Sequence, residues 1–189
     1  GTQHVIEWGT TSTTQNSAAA IATIVLATDK FLHRAIATGL TAQTTYVYRV
    51  RSGATVSPTY SIRTAPLPAT PFRMAWLADN QDQAGTPFLN VLTKLAPRAP
   101  DVIGHAGDTV QNGDVFAEWQ AQWFDPLAAA PGNLGQRVPI LVARGNHDNS
   151  FPPALAYHWF PLHESWNAET IGRVRFIFLD LYGDRKSVV

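Results

Sequence analysis

The chain has no cysteine. Disulfide cross-links, thiolate metal sites and cysteine nucleophiles are thereby excluded from its 189 residues. It also lacks an excess of either charge. Lys plus Arg and Asp plus Glu each number 14, so no global field favours nucleic acid or an anionic membrane, and neither is expected as a partner. No uninterrupted apolar run approaches the ~20 residues that span a bilayer. The nearest, residues 18–27, is too short and is broken by Thr23. Residues 1–8 carry neither the basic start nor the apolar core of a secretory signal. Internal repeats and low-complexity tracts are absent too. What the chain does have is 45% hydrophobic residues, enough for one substantial core or two small ones.

Its organisation changes near Ala65-Pro66-Leu67-Pro68-Ala69-Thr70-Pro71, where three prolines in seven residues disfavour both helix and central strand. Residues 1–65 are read as a β-domain, 66–71 as a stiff linker and 72–189 as a second domain. In the first part, residues 4–8, 20–27, 33–38, 45–51 and 58–63 are short runs rich in β-branched or aromatic side chains, punctuated by Thr, Ser, Gly and Asn. Within 45–51, Tyr46, Tyr48 and Val50 alternate with Val47, Arg49 and Arg51, the period of a strand. Leu40 followed by Tyr46 has the look of a tyrosine corner, which points to a β-sandwich.

In the second part, apolar runs at 72–78, 101–106 and 138–143 read as strands. A helical pattern at 86–95 stops at Pro97. Another at 114–130 has Asp114 as expected N-cap and Pro126 as expected kink or end. Strand and helix alternate, which predicts a largely parallel sheet with helical crossovers. A fourth strand is expected at 173–179. Each of the first three strands leads into a polar motif: Asp79-Asn80-Gln81, Gly107-Asp108 and Gly145-Asn146-His147-Asp148. Loops leaving the carboxyl ends of parallel strands gather along one edge, where ligands bind. Two carboxylates, an amide oxygen and an imidazole gathered there suit a hard cation better than an apolar ligand.

These motifs, spaced 29 residues from Asp79 to Asp108 and 38 from Asp108 to Asn146, resemble the calcineurin-like metallophosphoesterases. The signature of that family runs Asp-x-(His, Gly or Gln), Gly-Asp, Gly-Asn-His-(Asp or Glu), then later His motifs. The first part, with Val5-Ile6-Glu7-Trp8-Gly9-Thr10, His33-Arg34-Ala35, Leu40 and 45–50, looks like the N-terminal fibronectin type III-like domain of purple acid phosphatases. The resemblance implies an incomplete β-sandwich followed by a four-layer αββα domain truncated at its C-terminal side. It also implies two metal ions, Fe, Mn or Zn. Asp79 would bind the first, Asp108 would bridge both, Asn146 would bind the second, and Gln81 is a further candidate ligand. A metal-activated hydroxide would attack phosphorus in a monoester or diester. His147 would stabilise charge or protonate the leaving oxygen, with Asp148 as its orienting partner.

Departures from the pattern carry expectations of their own. Gln111 stands where purple acid phosphatases have an iron-binding tyrosine, so no tyrosinate charge-transfer colour is expected; a strong visible band in the iron-loaded full-length protein would refute that. Gln81 stands where many relatives have a His ligand. The later His motifs do not occur before Val189, and only about 65 residues precede the linker where a seven-stranded sandwich takes ~100. A fragment that binds metal weakly is the expectation. His105 is read as a strand-end residue behind the ligands, and Asp82 as a turn residue. His158 and His163 are candidates to shape the cleft, Arg144 is divided between phosphate and solvent, and Asp180 is a weak candidate behind the site. The leading function is a metal-dependent phosphoesterase acting on a small phosphorylated substrate, exported to the periplasm, cell surface or medium. The alternative is a non-catalytic surface or binding protein with a degenerate phosphoesterase-like fold, favoured by Gln81 and Gln111.

Overall fold

A computed structural model describes residues 2–27, 30–81, 86–148, 158 and 166–180. The expectations for Asp82 and His163 fall outside them. The chain forms two compact units, Gly1–Thr70 and Pro71–Val189.

The first unit is built of strands β1 (His4–Gly9), β2 (Asn16–Ala19), β3 (Ala22–Ala27), β4 (Lys30–Arg34), β5 (Thr45–Ser52), β6 (Thr55–Val56) and β7 (Tyr60–Arg63). One sheet runs β2-β1-β5-β6, with β7 also paired to β5, while β3 and β4 form a separate hairpin. All of these pairings are antiparallel. The strand expected at 20–27 is β3, beginning two residues later, and a further strand that was not expected precedes it. Residues 16–19 pair with β1, and the chain passes to the other sheet at Ala20-Ile21, where Ala20 N–H donates to His4 O at 2.8 Å and Ile21 N–H to Arg34 O at 2.7 Å. The polar residues Asn16 and Ser17, read as punctuation, serve as strand because β1 supplies their ladder bonds. The third expected strand, at 33–38, instead starts at Lys30 and ends at Arg34. Tyr46 is buried and its hydroxyl accepts the N–H of Thr41 at 3.0 Å, the bond expected of a tyrosine corner. Glu7 joins Arg49 (2.6 Å) and Arg51 (3.3 Å) across β1 and β5. Both guanidinium groups, Arg49 first, hold its carboxyl below the usual carboxylate range.

The second unit places β8 (Met74–Leu77), β9 (Val102–His105) and β10 (Ile140–Val142) in a parallel sheet of order β10-β9-β8. Leu77, His105 and Val142 share one register level, so the three strands end together. On one face lie α1 (Thr86–Leu95) and a helical stretch made of α2 (Phe116–Glu118), the π-helical segment Trp119–Phe124 and α3 (Asp125–Ala129), followed by α4 (Leu134–Arg137). Phe88, Leu92, Ile103, Trp119, Trp123 and Leu134 form the core between helices and sheet. The second helix begins at Phe116 with Val115 as its N-cap and no side-chain capping bond, so Asp114 is not the cap. Pro126 does not end it either. The helical stretch continues to Ala129: Pro126 sits where the π-helical segment passes into α3, and the Gln122 carbonyl that an N–H at position 126 would serve in an α-helix accepts from Asn80 Nδ2 at 3.1 Å.

On the other face, Trp76 meets Phe176 and Phe178 at ring-centroid distances of 6.0 Å each. These belong to β12 (Val174–Phe178), which pairs with β11 (Asn167–Ile171) in an antiparallel hairpin. Among the described residues the expected fourth strand therefore pairs with β11, not with the parallel sheet. Its alternating aromatics give it one face to lay against Trp76, and that is a packing contact instead of a ladder.

Candidate functional site

All three motifs leave the sheet at the same level. Two of their residues, Asp79 and Asp108, have left-handed backbone, with φ of 54° and 55°. Asp tolerates this region better than most residues, and such strain persists only where surroundings enforce it. Here the enforcement is visible. Asp79 N–H donates to Gly107 O and Gln81 N–H to Asp108 O, both at 3.1 Å, which locks the first motif onto the second. The Gln81 amide is oriented with its NH2 toward the main-chain carbonyls of Asp79 (3.3 Å) and Asp108 (3.1 Å). The third motif is pressed on the second. A Cβ on Gly145 would lie 2.1 Å from Asp108 Oδ1, and Gly107, at φ 104°, passes so close that a Cβ there would sit 2.5 Å from Gly145 N. His147 N–H donates to Asp108 Oδ1 at 2.9 Å. The structure thus gathers Asp79, Gln81, Asp108, Asn146 and His147 at one sheet edge.

Asp148 has a different task from the one expected. Its carboxylate is wholly buried. Oδ2 accepts the N–H groups of Asp108 (3.1 Å) and Gly145 (2.8 Å), and Oδ1 accepts those of Thr109 (2.7 Å) and Val110 (3.4 Å) together with the Thr109 hydroxyl. It fastens the second and third motif loops together. The imidazole of His147 instead has Nδ1 3.1 Å from the carbonyl of Gln111; that carbonyl only accepts, so Nδ1 carries the proton and donates.

Behind the loops lies a polar knot that sequence reasoning reached only in part. His105 is fully buried. Gly107 N–H donates to its Nδ1 at 3.2 Å, so Nε2 carries the proton and donates to Asn80 Oδ1 at 2.7 Å. Asn80 Nδ2 in turn donates to Thr109 O (2.8 Å) and Gln122 O (3.1 Å). Burial, with the nearby His158, pushes the His105 imidazole down to about 4. Burial alone takes His158 to about 3. His158 packs edge-on against Trp119 and Trp123, with Nε2 3.5 Å from Thr109 Oγ1, so it supports the loop from beneath. Arg144 faces neither phosphate nor solvent. It is buried, with Nε 3.2 Å from Asp180 Oδ2. The roles of Asn80 and Gln122 escaped the sequence because Asn80 acts through Thr109, 29 residues away, and through Gln122, 42 residues away.

The donors present fit a hard cation on one side: two carboxylates and two side-chain amides, with Asp79 and Asn146 exposed. His105 cannot join them while both its nitrogens are bonded within the protein. Among the described residues no group of three or more His, Cys, Asp or Glu side chains converges to hold a metal.

Comparison with known proteins agrees with this geometry. The family model described as calcineurin-like phosphoesterase matches residues 72–186, and that of the purple acid phosphatase N-terminal domain matches residues 1–64. No curated protein sequence matches the chain. Among solved structures, the purple acid phosphatase PPD1 isolated from yellow lupin (Lupinus luteus) seeds is similar with a TM-score of 0.76 and 17% identity, over 98% of this chain and 42% of its own. The structure of PhoD is similar with a TM-score of 0.61 and 15% identity, over 93% of this chain and 44% of its own. At such identities the likeness is one of fold, and the chain spans less than half the length of either protein.

Proposed function

Because the chain belongs to the calcineurin-like phosphoesterase family, we propose that its cleft serves the metal-dependent hydrolysis of phosphomonoesters or phosphodiesters. The observation that supports this most is the locking of Asp79 and Asp108 side by side at the strand ends, with the His147 amide on Asp108 Oδ1. Asp79, Asp108 and Asn146, with Gln81 Oε1, are the atoms offered to two cations, Fe, Mn or Zn. Bound cations supply Lewis acidity and a water acidified to near neutral pH. The neutral Asn146 adds no negative charge beside an incoming phosphate. With Nδ1–H held by Gln111 O, His147 presents Nε2, which in the imidazolium form carries a proton for the leaving oxygen. Asp148 acts through the loops it fastens.

The test is hydrolysis of p-nitrophenyl phosphate and its bis ester by the full-length, metal-loaded protein. Activity is expected, is lost on chelation, and falls at least a hundredfold, an order-of-magnitude figure, in Asp108→Asn. Activity that survives chelation sinks the reading. A metal-loaded protein inactive on both esters favours a second one, a non-catalytic binding protein. Gln81 is the observation in favour of that, since its NH2 serves main-chain carbonyls where relatives carry an imidazole ligand. Export to the periplasm, cell surface or medium belongs to the same proposal. Fractionation that finds the native protein only in the cytoplasm would overturn it. No helix among the described residues is long and apolar enough to cross a membrane.

A further inference from the structure

We propose that Gln122 is a positioning residue for this site, joining the seat of His147 to the loop of Asp79 through one side chain and one main-chain carbonyl. The inference rests on the phosphoesterase reading, since it concerns how that site is held.

Gln122 is buried in the π-helical segment Trp119–Phe124, outside every signature motif. In an α-helix its carbonyl would accept the N–H of residue 126. Residue 126 is proline and has none. Asn80 Nδ2 donates to that carbonyl at 3.1 Å, which ties the residue between Asp79 and Gln81 to the helix. The Gln122 side chain points the other way along the cleft wall. Its Oε1 accepts the N–H of Gln111 at 2.8 Å, and its Nε2 lies 3.3 Å from Glu118 Oε2, the same oxygen that accepts the N–H of Asn112 at 2.6 Å.

Residues 111–113 are the seat of His147. The Gln111 carbonyl takes Nδ1–H at 3.1 Å, Gly113 N–H donates to His147 O at 3.0 Å, and Trp119 Nε1–H donates to Gly113 O at 2.8 Å. These loop contacts run back to α2 and the π-helical segment, with Gln122 at the point where they meet the Asn80 bond. A residue that fixes both a carboxylate loop and the imidazole sets their separation without touching either. Displacing such groups by about 1 Å is enough to cost on the order of a hundredfold in rate.

Two variants of the full-length protein test this. Gln122→Met keeps length and bulk but removes donor and acceptor. Pro126→Ala supplies an N–H that competes with Asn80 for the Gln122 carbonyl while adding a helix bond. In Gln122→Met, nitrogen NMR of the His147 ring is expected to show loss of the Nδ1–H tautomer in favour of Nε2–H, with kcat down about tenfold to a hundredfold and KM nearly unchanged. In Pro126→Ala, kcat is expected to fall and Asn80 side-chain amide exchange to quicken, with the melting temperature unchanged or raised. A purely structural residue would move stability and activity together. An unchanged His147 tautomer in Gln122→Met overturns the proposal. If that variant does not fold, unchanged Asn80 exchange in Pro126→Ala does so. An inactive wild type defeats the phosphoesterase reading instead, and the two NMR measurements still decide the role of Gln122.

Discussion

At the residue scale, the clearest division of labour is between His147 and its neighbour. His147 keeps one ring nitrogen on Gln111 O and presents the other, whereas Asp148 gives both carboxylate oxygens to main-chain and hydroxyl donors. Exchanging one oxygen for NH2 would aim a donor at two N–H groups. We therefore expect Asp148→Asn to cost about 2–4 kcal/mol of stability, from unsatisfied buried donors and the loss of charged bonds. Urea unfolding of the two forms measures this, and a loss below about 0.5 kcal/mol would show the carboxylate to be dispensable.

At the scale of elements, the helical stretch from Phe116 to Ala129 serves as core and as scaffold at once. Trp123 stacks on Phe88 at 5.7 Å and 10° and meets His105 and His158 edge-on. Its apolar spacing was legible as a core stripe. The π-helical turn was not, and neither was its tie to the loop after β8, since Asn80 reaches the Gln122 carbonyl across 42 residues of chain. Trp123→Ala is expected to cost about 3–5 kcal/mol. The denaturation midpoint should fall accordingly, and a cost under about 1 kcal/mol would mean that the helix layer is not seated on this ring.

At the scale of the whole molecule, stability should depend on acid in a definite direction. His105 and His158 titrate in the fold at about 4 and about 3, below their ordinary value of 6.5. An unfolded chain therefore binds more protons between those values, and stability falls as pH drops. The contribution is fully present above pH 6.5 and is lost progressively toward pH 4 and below, at up to about 1.4 kcal/mol per unit for each group. Melting temperature measured from pH 7 to pH 4 checks this. His105→Gln, which removes one titrating ring, should flatten the profile, and an unchanged slope would contradict the assignment.

The amino-acid sequence by itself determined the polar motifs at the strand ends, because alternation of strand and helix fixes which loops share an edge. It also carried the Tyr46 bond, a contact between near neighbours in the chain. Tertiary structure decided what depends on distant partners. It divided residues 16–27 between two sheets, turned Arg144 inward to Asp180, moved Asp148 from the imidazole to the loop amides, and paired β12 with β11. Each of these choices follows from which N–H and C=O groups, or which opposite charge, lay within reach after folding. No local pattern encodes that, since a buried polar group is satisfied by whatever partner the packing brings to it.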